Sequence, residues 1–239
     1  MKVIKNKLAV VTGASKGIGL ATCIELAKAN YDLVICARDE AFLKLAIEKI
    51  LNANANTKIY EYTVDVSNAE QLKGFIEKIK AKFDSVDILV NNAGLFIPGN
   101  ILDEQPGALE KMLATNLISV YNLTRGLLPL IKNSSRGYIF NLGSVAGTRA
   151  YNNGGSYSIS KFALHGFSQN LREELKLFNI KVTTVIPGAT WSASWEGFEA
   201  PHERLMQADD IAKMMIATLH LSNAAVVETI TLRPQLGDL

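Results

Sequence analysis

Leu8-Ala9-Val10-Val11-Thr12-Gly13-Ala14-Ser15-Lys16-Gly17-Ile18-Gly19 is the stretch whose reading decides the fold. The apolar run up to Thr12 reads as a short buried strand, the glycines as a tight turn, and the pattern through Leu20, Ile24 and Ala27 as a helix. Strand, glycine turn and helix in that order form the entrance to a dinucleotide site. Glycine lets the backbone come close to a pyrophosphate, and the helix N-terminus offers free N–H groups and positive dipole. Gly13, Ser15, Lys16, Gly17, Ile18 and Gly19 are therefore candidate cofactor contacts. Their spacing is G-x-x-x-G-x-G rather than the commoner G-x-G-x-x-G.

The same rhythm continues outward. Strands are expected over 32–37, 58–64, 86–90, 137–142, 181–186 and 225–232, with helical patterns over 39–51, 67–83, 103–131, 156–178 and 208–221. Short apolar runs alternating with helices imply an α/β fold, a single Rossmann-like domain over 1–239 with a doubly wound parallel sheet of about seven strands and helices on both faces. No repeat or linker interrupts it.

At 239 residues and 48% hydrophobic, the chain can bury a sizeable core. A net charge of +2 without a basic run argues against nucleic acid or an anionic membrane. Cys23 and Cys36 lack metal or disulfide spacing, so no metal is expected and a reduced, cytoplasmic compartment fits. The apolar run from Leu8 is too short for a signal segment or a span. His165, His202 and His220 have no ligand spacing and read as structural or solvated.

The end of the second strand bears on the cofactor. An NAD site usually has a carboxylate there for the ribose 2′-hydroxyl. Here Cys36-Ala37-Arg38 supplies none: Ala37 removes the charge that would repel a 2′-phosphate, Arg38 offers a planar fork for one, and Lys16 adds a second cation. NADP(H) is expected. The alternative makes Arg38 solvated and Asp39 or Glu40 the ribose ligand, although Asp39 suits a helix N-cap.

Ser156-Tyr157-Ser158-Ile159-Ser160-Lys161 heads the helical pattern over 156–178 and puts Tyr157 and Lys161 on one face. A phenol titrates at about 10, and a lysine cation one turn away favours phenolate, so the pair could exchange a proton near neutrality as general acid and base.

Thr12-Gly13-x-x-x-Gly17-x-Gly19, Asp65-Val66, Asn91-Asn92-Ala93-Gly94, Asn116, Ser144, Tyr157-x-x-x-Lys161 and Pro187-Gly188 occur in the order found in the short-chain dehydrogenase/reductase family. The chain resembles that family from residue 7 to about 232. The resemblance implies that Asp65 and Val66 flank the adenine. It gives Asn92, Ala93 and Gly94 to the adenosine ribose and the sheet, and Pro187, Gly188 and Thr190 to the nicotinamide border. It further implies that Asn116 kinks its helix and holds a water leading to Lys161. Ser144 would bind the substrate oxygen, Tyr157 would donate the proton, and Lys161 would hydrogen-bond the nicotinamide ribose and depress the tyrosine pKa. Many members carry a second serine just before Ser144, where this chain has Gly143.

The implied activity is NADPH-dependent reduction of a ketone to a secondary alcohol, or its reverse. Members this short are frequently 3-oxoacyl-thioester reductases, and Lys132, Arg136, Lys176 and Lys181 lie in the neighbourhoods where such enzymes meet an acyl carrier protein. Residues 189–207 read as a substrate lid whose Trp191, Trp195 and Phe198 also suit a small cyclic or aromatic ketone. A non-catalytic NADP(H) sensor or scaffold is the alternative of another class. A homodimer or homotetramer through the helices around Asn116 and Tyr157 is implied by resemblance.

Overall fold

A computed structural model describes residues 7–191 and 204–237. Seven parallel strands form one sheet: β1 Lys7–Thr12, β2 Tyr31–Ala37, β3 Ile59–Thr63, β4 Ile88–Asn91, β5 Tyr138–Leu142, β6 Lys181–Pro187 and β7 Thr229–Leu232, in the order β3-β2-β1-β4-β5-β6-β7. β1 pairs with β2 on one side and β4 on the other. Order reverses there, which opens a crevice above the C-terminal ends of the two strands.

Helices α1 Gly17–Lys28, α2 Glu40–Ala53, α3 Ala69–Lys82, α4 Ala108–Leu113, α5 Ser119–Lys132, α6 Gly155–Leu175 and α7 Ala208–Leu219 connect the strands. Strand alternation feeds two cores. Leu8 and Val10 of β1 point into one with Phe75, Leu127 and Leu171, and Ala9 and Val11 into the other with Leu26, Leu43 and Met215. Because both faces are covered, β1 reads as a continuous apolar run rather than an alternating one. Caps start two of the helices: Asp39 accepts from the Phe42 N–H (3.0 Å) and Asn68 from the Gln71 N–H (3.0 Å), each arrangement stabilising its helix by about 1 kcal/mol. Asp39 is thus the N-cap of α2.

Two expectations change. The helix expected over 103–131 begins only at Ala108 and runs in unbroken αR backbone to Lys132, with a π-turn, Ala114–Ile118, inserted between α4 and α5. The last strand starts at Thr229, since the carbonyls of Ala225 and Val227 are taken by the side chains of Lys181 and Thr183 instead of a neighbouring strand. Past β6 the backbone of Trp191 pairs with Met206 and that of Met206 with Ala189. Trp195, Phe198 and most of the expected lid lie outside the described residues. No helix among the described residues is long and apolar enough to cross a membrane.

Candidate active site

The glycine turn is built around Thr12. Its hydroxyl accepts the N–H groups of Asn92 (3.1 Å) and Ala93 (3.0 Å), while the Asn92 amide donates to the carbonyls of Thr12 (2.9 Å) and Gly13 (3.0 Å). Gly13 has φ +64°, and a Cβ there would stand 2.9 Å from the Asn92 amide nitrogen and the Ala93 Cα. Only glycine fits this close approach of β1 and β4. The first turn of α1 carries no acidic residue, and Lys16 at its cap position makes no side-chain cap.

Around this turn the strand ends collect the other cofactor candidates. Ser15, Lys16, Gly17 and Ile18 are half-buried and Gly19 is buried. Arg38 is exposed at the end of β2, and the Lys16 ammonium sits 3.5 Å from the centre of the Phe42 ring. Beyond β3, Asp65 accepts from the N–H (2.9 Å) and hydroxyl (2.7 Å) of Ser67, and Val66 is buried. Across the crevice, the Gly188 N–H bonds the Leu232 carbonyl (2.7 Å) and Thr190 donates to the Gly188 carbonyl (2.9 Å), shaping the turn after Pro187.

α6 carries the reactive stripe. Tyr157, Lys161 and His165 follow at four-residue intervals on one face, directed toward the loop leaving β5. The Lys161 ammonium donates to the Leu142 carbonyl at 2.8 Å and lies 5.7 Å from the Tyr157 ring centre. Burial holds it down to about 8. Burial pushes the Tyr157 phenol up to about 12, against a smaller opposing contribution from the Ser144 hydroxyl beside it. Phe96 packs edge-on against the phenol ring, 4.8 Å between centres.

Ser144 is buried; its Oγ accepts the Ala146 N–H (3.1 Å) and so caps the short 3-10 turn Val145–Gly147. Asn116 is fully buried in the π-turn, where the Ser119 N–H reaches back to the Ala114 carbonyl. Its amide oxygen accepts from the Leu95 N–H (2.7 Å) and its NH2 donates to the Leu95 carbonyl (2.9 Å) and to Ser160 (2.9 Å). The side chain thus joins the loop after β4 to α6. Gly94 lies between, and a Cβ on it would be 3.5 Å from the Asn116 oxygen and 3.8 Å from the Lys161 ammonium.

Ser144, Tyr157 and Lys161 converge, with Asn116 one contact behind them, and the dinucleotide candidates line the adjoining crevice. Two residues, Phe96 and Glu104, escaped the sequence reading, and His165, read as structural or solvated, is buried against the loop after β5. Phe96 follows directly after the Asn-Ala-Gly turn, and His165 was detectable only as the next step of the four-residue stripe. Glu104, which binds Ser156 at the start of α6, carried no local signal at all.

Comparison with known proteins identifies the family. The model of the short chain dehydrogenase family matches residues 7–201. An uncharacterised oxidoreductase of Staphylococcus saprophyticus is 32% identical over 234 residues, covering 98% of this chain and all of the relative. An alcohol dehydrogenase of the archaeon Thermococcus sibiricus, solved with 5-hydroxy-NADP, superposes with a TM-score of 0.88 at 26% identity, covering 98% of this chain and 99% of that one. A metagenomic short-chain oxidoreductase solved with NADP gives 0.82 at 28% identity, with 96% and 97% covered. The matched span reaches from the glycine turn past the Tyr157 stripe, and the chain belongs to the short-chain dehydrogenase family of oxidoreductases.

Proposed function

We propose that the chain reduces ketones to secondary alcohols, or runs the reverse oxidation, with NADP(H). The observation that carries this reading is the convergence of half-buried Tyr157 with buried Lys161 and Ser144 beside the crevice at β1 and β4. The residues there fit the dinucleotide. α1 presents an N-terminus with no side-chain cap or acidic residue, Gly13 leaves its close approach open, and Arg38 and Lys16 offer cations for a 2′-phosphate. The NADP ligands of the two solved relatives support the same choice. Pro187, Gly188 and Thr190 would border the nicotinamide, Asn92, Ala93 and Gly94 the adenosine ribose, and Asp65 and Val66 the adenine.

When bound, the nicotinamide supplies the hydride. Tyr157 gives the carbonyl oxygen its proton: a phenol held at about 12 is protonated at neutral pH and ready to act as the acid. The Ser144 oxygen accepts the Ala146 N–H, and its hydroxyl proton, directed at the Tyr157 phenol in this structure, would turn to hold the substrate oxygen. Lys161, a turn away, is the cation that stabilises the phenolate once the proton has left. Asn116, fastened to Leu95 and Ser160, sits on the path by which protons return to the lysine.

Phe96 against the phenol, and Tyr151 near enough to raise its pKa, favour an apolar, cyclic or aromatic ketone. Of the basic residues invoked for a carrier protein, Lys132 and Lys176 are exposed, and each of the four also has a partner within the chain. Lys181 is buried on the carbonyls of Ser222 and Ala225, Arg136 binds the Leu221 carbonyl, Lys176 pairs with Glu173, and Lys132 covers the Phe178 ring. Ile118, Tyr121, Ile159 and Phe162, all exposed on the π-turn, α5 and α6, suit a homo-oligomeric face.

The test is NADPH consumption, with NADH in parallel, against acetophenone, benzil and acetoacetyl-CoA, for the wild type and Tyr157→Phe. Turnover of the ketones that falls by about 10²-fold or more in Tyr157→Phe, with NADPH affinity kept, is the expected result. Turnover of the thioester alone would redirect the substrate to acyl chains. NADPH binding without turnover of any carbonyl would leave a non-catalytic sensor.

A further inference from the structure

Gly143 stands where many family members have a serine, and the structure gives the chain's own reason. A Cβ on Gly143 would collide with His165 Nε2, and one on Gly147 would stand 2.7 Å from His165 Cε1. The imidazole therefore fills the space beneath the whole 143–147 turn, and the two glycines that flank Ser144 are what let it in. His165 is 9% exposed and one helical turn beyond Lys161.

Its two ring nitrogens suit both ends of the turn. Nε2 faces the Ser144 N–H at 3.5 Å, and the ring bonds the Gly147 backbone. A neutral imidazole has one acceptor and one donor, which this arrangement uses. The turn is thus held from α6 at three successive points: Leu142 by Lys161, then Ser144 and Gly147 by His165.

We propose that His165 is a positioning residue for Ser144, an imidazole prop that replaces the usual side chain at position 143 and sets the height of the Ser144 hydroxyl over the substrate oxygen. The proposal rests on the reading of Ser144 given above. It assigns no proton transfer to the histidine.

The experiment compares His165→Phe, His165→Gln, His165→Ala, Gly143→Ser and the double variant Gly143→Ser/His165→Ala. The first readout is amide hydrogen exchange at Ser144 and Ala146, which needs no substrate. Phe retains the ring volume without an acceptor, so exchange at Ser144 should rise by about tenfold or more, while Gln should stay near the wild type. Unchanged exchange in His165→Phe overturns the proposal.

The second readout is steady-state reduction of benzil and acetophenone. His165→Phe should lose about tenfold or more in kcat with the NADPH KM kept, and His165→Gln should recover most of it. Gly143→Ser should be impaired alone and substantially relieved by His165→Ala, since the ring then vacates the space. Additive losses in this cycle overturn the exchange of side chains. Ser144→Ala separates the two readings: full activity there removes the role of Ser144, whereas an inactive Ser144→Ala beside a fully active His165→Phe removes only the prop.

Discussion

The Glu104 carboxylate accepts both the backbone N–H of Ser156, at 2.6 Å, and the Ser156 hydroxyl. Glu104 belongs to the loop after β4, so the helix that carries Tyr157 is capped from across the active site, its own cap residue Gly154 having no side chain to offer. A carboxylate at a helix N-terminus gains from the dipole as well as from the bonds. Its tightness shows at Gly155, φ +28°, where a Cβ would collide with Glu104 Oε1.

Glu104→Ala should therefore cost about 1–3 kcal/mol of stability by urea denaturation and lower kcat, because Ser156 adjoins Tyr157. Glu104→Gln keeps an acceptor but not the charge and should lose less. Wild-type stability in Glu104→Ala would mean that the cap carries no net energy.

Lys161 gives a pH test. Burial holds its folded pKa at about 8 against 10.5 ordinarily, so between these values the unfolded chain binds more protons than the folded one. Stability from this residue is then lowest below pH 8 and rises as pH climbs toward 10.5. Tyr157, pushed from 10 up to about 12, acts in the opposite sense, but only above pH 10. Across pH 8 to 10 the wild type without cofactor should gain about 2 kcal/mol relative to Lys161→Met. Parallel stability curves for the two proteins over that range would show that the lysine titrates normally.

Much of this was readable in the sequence because parallel sheets covered on both faces leave continuous apolar runs, and β1, β2, β5 and β6 stand where those runs do. The glycine turn and the Tyr157–Lys161 pair were readable because their chemistry is local, lying within one turn of helix or one loop. What stayed hidden was made by contacts distant in sequence. A 3.6-residue period over 103–131 looks the same with or without a π-turn, and that turn surrounds an Asn116 whose amide bonds Leu95 and Ser160. His165 kept the stripe's spacing, yet its role needs Gly143 and Gly147, which reach it through β5.

Cofactor preference follows from the end of β2. Asp39 caps α2 through the Phe42 N–H and Glu40 pairs with Lys44, so both neighbouring carboxylates are engaged within α2, and Arg38 is an exposed cation beside the turn. The same Phe42 supports the Lys16 ammonium from α2, keeping a second cation near Arg38 at small entropic cost. Arg38→Asp removes the planar fork and installs the carboxylate that repels a 2′-phosphate and accepts a ribose hydroxyl. The ratio of kcat/KM for NADPH over NADH should fall by roughly 10²-fold. Phe42→Ala leaves both charges but frees the lysine, and should lower the ratio less, about threefold, through the NADPH KM alone. An unchanged ratio in Arg38→Asp would mean that the phosphate is bound elsewhere, and a loss in Phe42→Ala as large as in Arg38→Asp would make Lys16 the principal ligand.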